Sequence, residues 1–175
     1  LGRALAISTQ TVTRYIDLLV DLLLVRRLQP YHANVGKRLV KSPKIYVRDS
    51  GLLHALLNIE TLDRLAGHPV IGVSWEGFVL ETLLAALSWR THPLFYRTAV
   101  GAEIDLVLER PNGELWVVEI KRGLAAKLER GFHQACQDLQ PAQAFVVYSG
   151  EERYPVAAGV EAIGIREMAT VLASL

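Results

Sequence analysis

The sequence predicts an α/β fold in which helices flank a mixed sheet, together with a small N-terminal domain. The first observation is a pair of runs rich in Val, Ile, Leu and Trp that flank Pro111, Asn112 and Gly113, a pattern typical of two strands joined by a tight hairpin. The second is helical spacing of apolar residues on both sides of this hairpin. The predicted elements are helices over residues 49–57, 61–66, 74–87, 124–139 and 166–175, and strands over 95–97, 103–110, 114–121, 144–148 and 160–165.

The hairpin turn predicts how its two strands are aligned. If residues 111–113 form a three-residue loop with Gly113 in the left-handed conformation, Arg110 lies opposite Glu114. Because side chains alternate between the two faces of a strand, counting back along the ladder predicts two sets of residues. The set on one face is Glu103, Asp105, Glu119 and Lys121, with Asp105 opposite Glu119 and Glu103 opposite Lys121. The set on the other face is Ile104, Leu106, Val118 and Ile120.

The charged face of the hairpin allows two interpretations. Directly opposed strand residues have Cβ atoms about 4.5 to 5.5 Å apart, so Asp105 and Glu119 can hold one hard cation between their oxygens. Alternatively, the face is a solvated ladder of salt bridges in which Lys121 neutralises Glu103. The apolar residues of the other face need a core under either interpretation, so the residues alone leave both open.

Asp105, a hairpin, and then Glu119-Ile120-Lys121 resemble the signature of the PD-(D/E)XK nuclease superfamily, whose members have an acidic residue on one strand and Glu-x-Lys on the next. A preceding helix in that superfamily supplies a further Glu, and Trp75-Glu76-Gly77-Phe78-Val79 provides one here. Over roughly residues 42–150 the chain is also similar to the C-terminal domain of unknown function that is attached to many prokaryotic AAA+ P-loop ATPases.

The resemblance implies a restriction-endonuclease-like core over residues 59–175 and a cofactor, Mg²⁺ or Mn²⁺, held by Asp105, Glu119 and Glu76. It further implies that Lys121 orients or helps to deprotonate the attacking water, and that Gln134 on the following helix orients the site; a surface amide is the alternative for Gln134. The expected function is a divalent-metal-dependent deoxyribonuclease that hydrolyses phosphodiesters as a module of a larger ATPase. The alternative is a non-catalytic DNA- or protein-binding regulatory module of that ATPase.

The helix before the hairpin carries two acidic residues, Glu76 and Glu81. They are five positions apart, which corresponds to about 140° around a helix, so only one of them can point at the hairpin. The resemblance places the helical acid of the superfamily at Glu76. Glu81 is therefore expected to be a solvated or capping charge.

Residues 1–58 are predicted to form the N-terminal domain. A short helix end over residues 5–7 is followed by Ser8, which is suited to cap a second helix, and by strand patterns near residues 22–31 and 44–47. This order resembles a winged helix with a basic hairpin tip between its strands. In such domains the second helix can enter the DNA major groove, but winged helices also serve as protein contacts.

Charge is unevenly distributed along the chain. Residues 1–60 hold nine Lys or Arg against four Asp or Glu, whereas the overall net charge is +1. A basic cluster between residues 26 and 48 can neutralise several phosphates, which predicts non-specific DNA binding. A solvated basic face and an acidic partner domain are the alternatives. The candidate DNA contacts are Arg14, Lys37, Arg38 and Lys41.

Several classes of function are disfavoured. No apolar run reaches the 18 or so residues that span a bilayer, and the chain begins Leu1-Gly2-Arg3 without a signal-like segment, so we expect a fragment of a longer cytoplasmic protein. The only cysteine, Cys136, excludes an internal disulfide. Gly36-Lys37 lacks the first Gly of a P-loop and its Ser or Thr, so the ATPase domain is expected upstream of Leu1.

Overall fold

The computed structural model describes residues 6–32 and 39–175. Within these ranges the chain forms an eight-stranded mixed sheet with flanking helices, which confirms the predicted α/β class. The helices are α1 (Thr9–Asp21), α2 (Ser50–Leu56), α3 (Leu62–Ala66), α4 (Ile71–Ala86), α5 (Arg130–Leu139) and α6 (Ile165–Ala173). The strands are β1 (Val25–Pro30), β2 (Lys44–Val47), β3 (His92–Arg97), β4 (Glu103–Glu109), β5 (Leu115–Ile120), β6 (Gln143–Tyr148), β7 (Tyr154–Ala157) and β8 (Val160–Gly164).

The sheet has the strand order β2-β1-β3-β4-β5-β6-β8-β7. Strands β1 and β2 form the antiparallel pair expected from the sequence. Strand β1 also pairs in parallel with β3, so one sheet runs across the predicted domain boundary between residues 58 and 59. Whether residues 1–58 fold as a domain of their own stays a prediction.

The central hairpin has the predicted register. The Arg110 N–H donates to the Glu114 carbonyl at 3.0 Å, the Gly113 N–H donates to the Arg110 carbonyl at 2.9 Å, and Gly113 has φ 81°. Strands β4 and β5 pair from Glu109 with Leu115 back to Leu106 with Val118. The paired residues end there, so the predicted pairs of Asp105 with Glu119 and of Glu103 with Lys121 lie beyond the ladder.

The predicted division of side chains between the two faces is wrong at one position. Between the pairs Leu94 with Val107 and Tyr96 with Ile104, two steps along β3 match three steps along β4, so β4 carries a β-bulge. The extra residue reverses the alternation. Ile104 therefore packs in a different core layer from Leu106, although both were expected on one face.

Both faces of the sheet are buried. The first core layer joins α4 and α6 to one face and contains Leu80, Leu83, Leu106, Val118 and Met168, all fully buried or nearly so. The second layer joins α5 to the other face through Phe132 and Ala135. Glu103, Asp105 and Glu119 consequently lie at the ends of β4 and β5 and not on an open, solvated face.

Two helices begin at positions other than those predicted. Helix α4 begins at Ile71, and Ser74 is a buried residue inside it whose hydroxyl hydrogen-bonds His54 Nε2 at 2.7 Å, so Ser74 does not cap the helix. Helix α5 begins at Arg130, because Glu129 has extended backbone and Leu124 is 77% exposed. Strand β7 was not predicted from the sequence; its four residues, beginning Tyr154-Pro155, form the edge of the sheet.

Glu81 is neither solvated nor a capping charge. Its carboxylate is bound by Arg26, through both oxygens, and by Arg48 Nε at 2.9 Å, and its side chain is only 14% exposed. Burial opposes ionisation, but the hydrogen bonds and charges of the two arginines outweigh it and hold the pKa of Glu81 below its usual value. Two arginines of the basic cluster are thus used inside the protein, and a third, Arg27, pairs with Asp17.

Glu81→Gln is expected to lower the free energy of unfolding by about 2 kcal/mol at pH 7, because two partly buried arginines lose their counter-charge. Because the pKa of Glu81 is lower in the folded protein than its ordinary value of 4.5, the ionised carboxylate stabilises the fold at pH values above 4.5. This stabilisation is lost as the pH falls through the pKa that Glu81 has in the folded protein. Urea unfolding followed by circular dichroism should therefore show a smaller difference from the wild type at pH 3.5 than at pH 7. Glu60→Gln, at a carboxylate 78% exposed, is the control; a loss that does not depend on pH would contradict this account.

Candidate functional site

A cleft of about 470 Å³ opens where β4 begins and β5 ends. Glu76, Asp105, Glu119 and Lys121 all line it, so the structure brings together four of the residues expected from the sequence. Glu103 lines the same cleft. These four acidic residues come from the helix α4 and the two strands of the central hairpin, and a fifth, Glu129, directly precedes α5.

Backbone contacts hold Asp105 beside the end of β5. Its Oδ2 accepts a hydrogen bond from the Ile120 N–H at 3.1 Å. This bond stands where the regular β4–β5 ladder has ended, since the last paired residues are Leu106 and Val118. The β-bulge in β4 and this single bond together orient the Asp105 carboxylate towards the cleft.

Glu119 is a buried carboxylate with one unused oxygen. The residue is 8% exposed, its Oε1 lies 3.0 Å from Lys121 Nζ, and its Oε2 is buried without a hydrogen-bond partner. Burial, and after it the negative charge of Asp105, raise the pKa of Glu119 to about 7, although Lys121 acts in the opposite direction. An orphaned buried carboxylate oxygen is costly, and such exceptions in native structures call for an explanation.

Lys121 is held between two carboxylates. Its Nζ lies 3.0 Å from Glu119 Oε1 and 3.2 Å from Glu129 Oε1. Burial by itself would lower the pKa of Lys121, but the hydrogen bonds and charges of Glu119 and Glu129 outweigh it and raise the pKa. The side chain is therefore an ammonium ion, suited to donate hydrogen bonds and to stabilise negative charge rather than to accept a proton.

Lys44 contacts three of the cleft carboxylates, although the sequence analysis assigned it only to the basic cluster and to a strand of the N-terminal domain. Its Nζ lies 3.0 Å from Glu76 Oε1, 3.0 Å from Glu103 Oε1 and 3.1 Å from Asp105 Oδ1. The contact spans 61 residues of sequence between Lys44 and Asp105. No local pattern signals it, because it depends on the parallel pairing of β1 with β3.

Glu76 lines the cleft beside the hairpin, where the family resemblance placed the helical acid, but it is already hydrogen-bonded. It accepts hydrogen bonds from Lys44 Nζ and from the Tyr46 hydroxyl. Burial, and then the charge of Glu76, raise the pKa of Tyr46, so its hydroxyl stays protonated and remains a donor. Both partners come from β2, so this edge strand fixes the position of the helical acid.

Three further predicted residues, Gln134, Arg14 and Lys41, are not among those that line the cleft. Gln134 is exposed on α5 and donates to Gln137 Oε1 at 3.3 Å and to Asp138 Oδ1 at 3.2 Å, so the structure does not bring it to the acidic residues of the cleft. Arg14 and Lys41 are exposed. Lys37 and Arg38 lie outside the described residues.

Metal-ligand geometry is met only in part. Among residues 6–32 and 39–175, no group of three or more His, Cys, Asp or Glu is arranged to hold a metal ion. Glu76, the third ligand predicted from the sequence, is hydrogen-bonded by Lys44 and Tyr46. Asp105 and Glu119 both line the cleft, and Mg²⁺ is commonly bound through one or two carboxylates with water in its other positions. With the orphaned Glu119 Oε2, this pair fits a magnesium or manganese site.

A larger cavity, of about 970 Å³, lies elsewhere, beyond the carboxyl ends of β6 and β8. Its lining includes Phe78, Thr82, Tyr148 and Ala169. It contains none of the predicted site residues. We therefore base the functional argument on the chemistry of the acidic cleft and not on cavity size.

In the described part of the chain, no helix has both the length and the apolar character needed to cross a membrane.

Comparison with known proteins identifies two family matches. Residues 71–168 match the family described as domain of unknown function DUF4143, and residues 1–63 match domain of unknown function DUF8612.

Two curated relatives, the uncharacterized proteins Mb2031c of Mycobacterium bovis and Rv2008c of Mycobacterium tuberculosis, are each 45% identical to this chain over 171 residues. The match covers 97% of this chain and 38% of each relative, so the chain spans about two fifths of the length of these relatives. No solved structure matches it. Because the first family match covers more than half of the sequence, the chain belongs to the DUF4143 family.

Proposed function

We propose that this chain is a divalent-metal-dependent nuclease module that hydrolyses phosphodiester bonds in DNA. The observation that carries the proposal is the meeting of Asp105, Glu119 and Lys121 in one cleft, where Glu119 keeps a buried oxygen without a partner. The order α4-β3-β4-β5-α5-β6 is also the helix, three strands, helix and strand expected of a restriction-endonuclease-like core.

Asp105 and Glu119 would hold Mg²⁺ or Mn²⁺. When bound, such an ion would lower the pKa of an attacking water and would stabilise negative charge on phosphate oxygens. Lys121 stands beside Glu119 as an ammonium ion, so it can orient a water or donate to the phosphate as charge develops. The Ile120 N–H keeps Asp105 from turning away from the cleft.

The substrate proposed is the DNA backbone, bound without sequence preference. Arg122 directly follows the Glu-x-Lys segment, is exposed and lines the cleft, which places one cation next to the acidic residues. Much of the basic cluster between residues 26 and 48 is committed to Glu81, Asp17 and the cleft acids, so its contribution to phosphate binding is smaller than its charge suggests. The winged helix, the P-loop ATPase domain of the same protein and a cytoplasmic location remain parts of this proposal.

The proposal is tested with the full-length protein supplied with ATP and a panel of single-stranded, duplex and branched DNA. We expect nicking or degradation of at least one substrate in Mg²⁺ or Mn²⁺ and none in EDTA, because the two cleft carboxylates need a cation to act on a phosphate. Gel electrophoresis of end-labelled DNA reports both cleavage and its polarity. Metal-independent cleavage, or no cleavage of any substrate, would contradict the nuclease function.

The second candidate is a non-catalytic module that binds DNA or protein and regulates the ATPase. The contact of Lys44 with Glu76, Glu103 and Asp105 favours it, since a lysine already neutralises part of the acidic set. The two candidates separate in the same assay. A protein that binds DNA by fluorescence anisotropy but leaves every substrate intact would support the binding module.

A further inference from the structure

Lys44 stands where three carboxylates meet. Its three contacts, to Glu76, Glu103 and Asp105, are all 3.0 to 3.1 Å long. The contacts with Glu76 and Asp105 are hydrogen bonds, and the contact with Glu103 is an ion pair, so one ammonium group serves three carboxylates. The side chain is 17% exposed, which means that protein groups surround the charge on most sides.

The lysine reaches this position from the edge of the sheet. Lys44 begins β2, whereas Asp105 belongs to β4, and β1 and β3 lie between these two strands in the sheet order. Its Nζ also lies 5.6 Å from the centre of the Phe95 ring on β3. A lysine on an edge strand whose ammonium group contacts carboxylates of α4 and β4 has the form of a tethered cation.

Asp105 is the residue that the lysine and the proposed metal share. Its Oδ1 contacts Lys44 and its Oδ2 accepts from the Ile120 N–H, so neither oxygen is free of a partner. Glu119, in contrast, keeps a buried oxygen, Oε2, without a hydrogen-bond partner. A divalent ion between Asp105 and Glu119 would stand close to the ammonium group, and the two positive charges would repel each other.

We propose that Lys44 is a built-in competitor for the divalent cation: its ammonium group neutralises Asp105 when no metal is bound and withdraws from Asp105 when metal binds. The inference rests on the proposed function in taking Asp105 and Glu119 as the ligand pair. It adds a residue that sets how tightly the cleft holds its metal. Because Lys44 belongs to an edge strand, anything that displaces β2 also changes the metal affinity.

Calorimetric titration of Mn²⁺ into purified variants tests this competition. Lys44→Met keeps the length of the side chain and removes its charge, and we expect its Kd for Mn²⁺ to be at least ~10-fold lower than that of the wild type. Lys44→Arg keeps the charge and should bind close to the wild-type level. Arg97→Met is the matched control, because Arg97 contacts Glu103 in the same cleft but not Asp105, and its Kd should stay within about twofold.

The outcomes separate this inference from the proposed function. If the wild type binds Mn²⁺ and Lys44→Met binds it with the same or a weaker affinity, Lys44 does not compete with the metal, whereas the proposed metal site is supported. Binding by Lys44→Met alone would support the competition and contradict metal-dependent catalysis by the wild type. If neither protein binds Mn²⁺, both proposals fail.

A second test uses NMR of the wild-type protein, so its result does not depend on whether Lys44→Met folds. The side-chain ammonium NMR signal of Lys44, identified by its loss in Lys44→Arg, should shift during a Mg²⁺ titration as the lysine leaves Asp105. The signal of Lys127, an exposed lysine outside the lining of the cleft, serves as reference. A Lys44 signal that stays unchanged throughout the titration would overturn the inference.

Discussion

Asp105→Ala is expected to abolish calorimetric binding of Mn²⁺, with a loss of affinity of at least about 100-fold. The substitution removes one of the two carboxylates proposed to bind the cation. Glu119 then remains as the single ligand, and one of its oxygens already forms an ion pair with Lys121. It also frees Lys44 from one of its three partners, which adds positive charge near the site. The apolar layers on both faces of the sheet are untouched.

The matched control is Glu114→Ala, which removes a carboxylate from the same hairpin at its exposed turn, away from the cleft. It should bind Mn²⁺ as the wild type does. Thermal unfolding in EDTA shows whether Asp105→Ala is folded under the conditions of the titration. Mn²⁺ binding that survives in a folded Asp105→Ala protein would remove Asp105 from the metal site.

Lys121→Ala is expected to keep Mn²⁺ binding and to lose most DNA cleavage, with kcat reduced by about 10²- to 10³-fold. The reason is the position of Lys121, which contacts the outer oxygen of Glu119 and is not itself a metal ligand. Its ammonium group is suited to stabilise charge that develops during the reaction. Calorimetry and single-turnover cleavage of labelled DNA, measured on the same preparation of full-length protein, separate the two effects.

Lys127→Ala, which removes an exposed lysine a few residues further along the chain, controls for a general loss of positive charge. It should reduce cleavage by less than about twofold at moderate salt, since a single exposed charge contributes little. Equal losses in the two variants would show that the lysines act through DNA binding and not through the chemical step. An active Lys121→Ala protein would exclude the proposed role of Lys121.

Local patterns were sufficient to predict the central hairpin. Pro111, Asn112 and Gly113 specify a three-residue turn, and a turn of defined length fixes the register of both strands, which the structure keeps as far as Leu106 with Val118. The helices that begin after Asp49 and Thr61 were likewise predictable, because each residue caps its helix through contacts three positions away. In these cases the determining interactions lie within a few residues of one another.

Contacts between distant parts of the chain decided the rest. The bulge that separates Ile104 from Leu106 depends on the pairing of β4 with β3, and the burial of Glu81 depends on arginines from β1 and from the end of β2. A residue type indicates which contacts a side chain can make, but only the packed sheet determines which of them it makes.

The acidic cleft depends both on local patterns and on contacts between distant parts of the chain. The residue order was enough to predict that Asp105, Glu119 and Lys121 share the hairpin, because strand alternation and turn length are local properties. The contact of Lys44 with Glu76 forms only in the folded chain, since β2 joins the sheet through β1 and its parallel pairing with β3. A buried charged side chain pairs with the opposite charge that the topology brings near it. For Asp105 this partner is Lys44, which lies 61 residues away in the sequence.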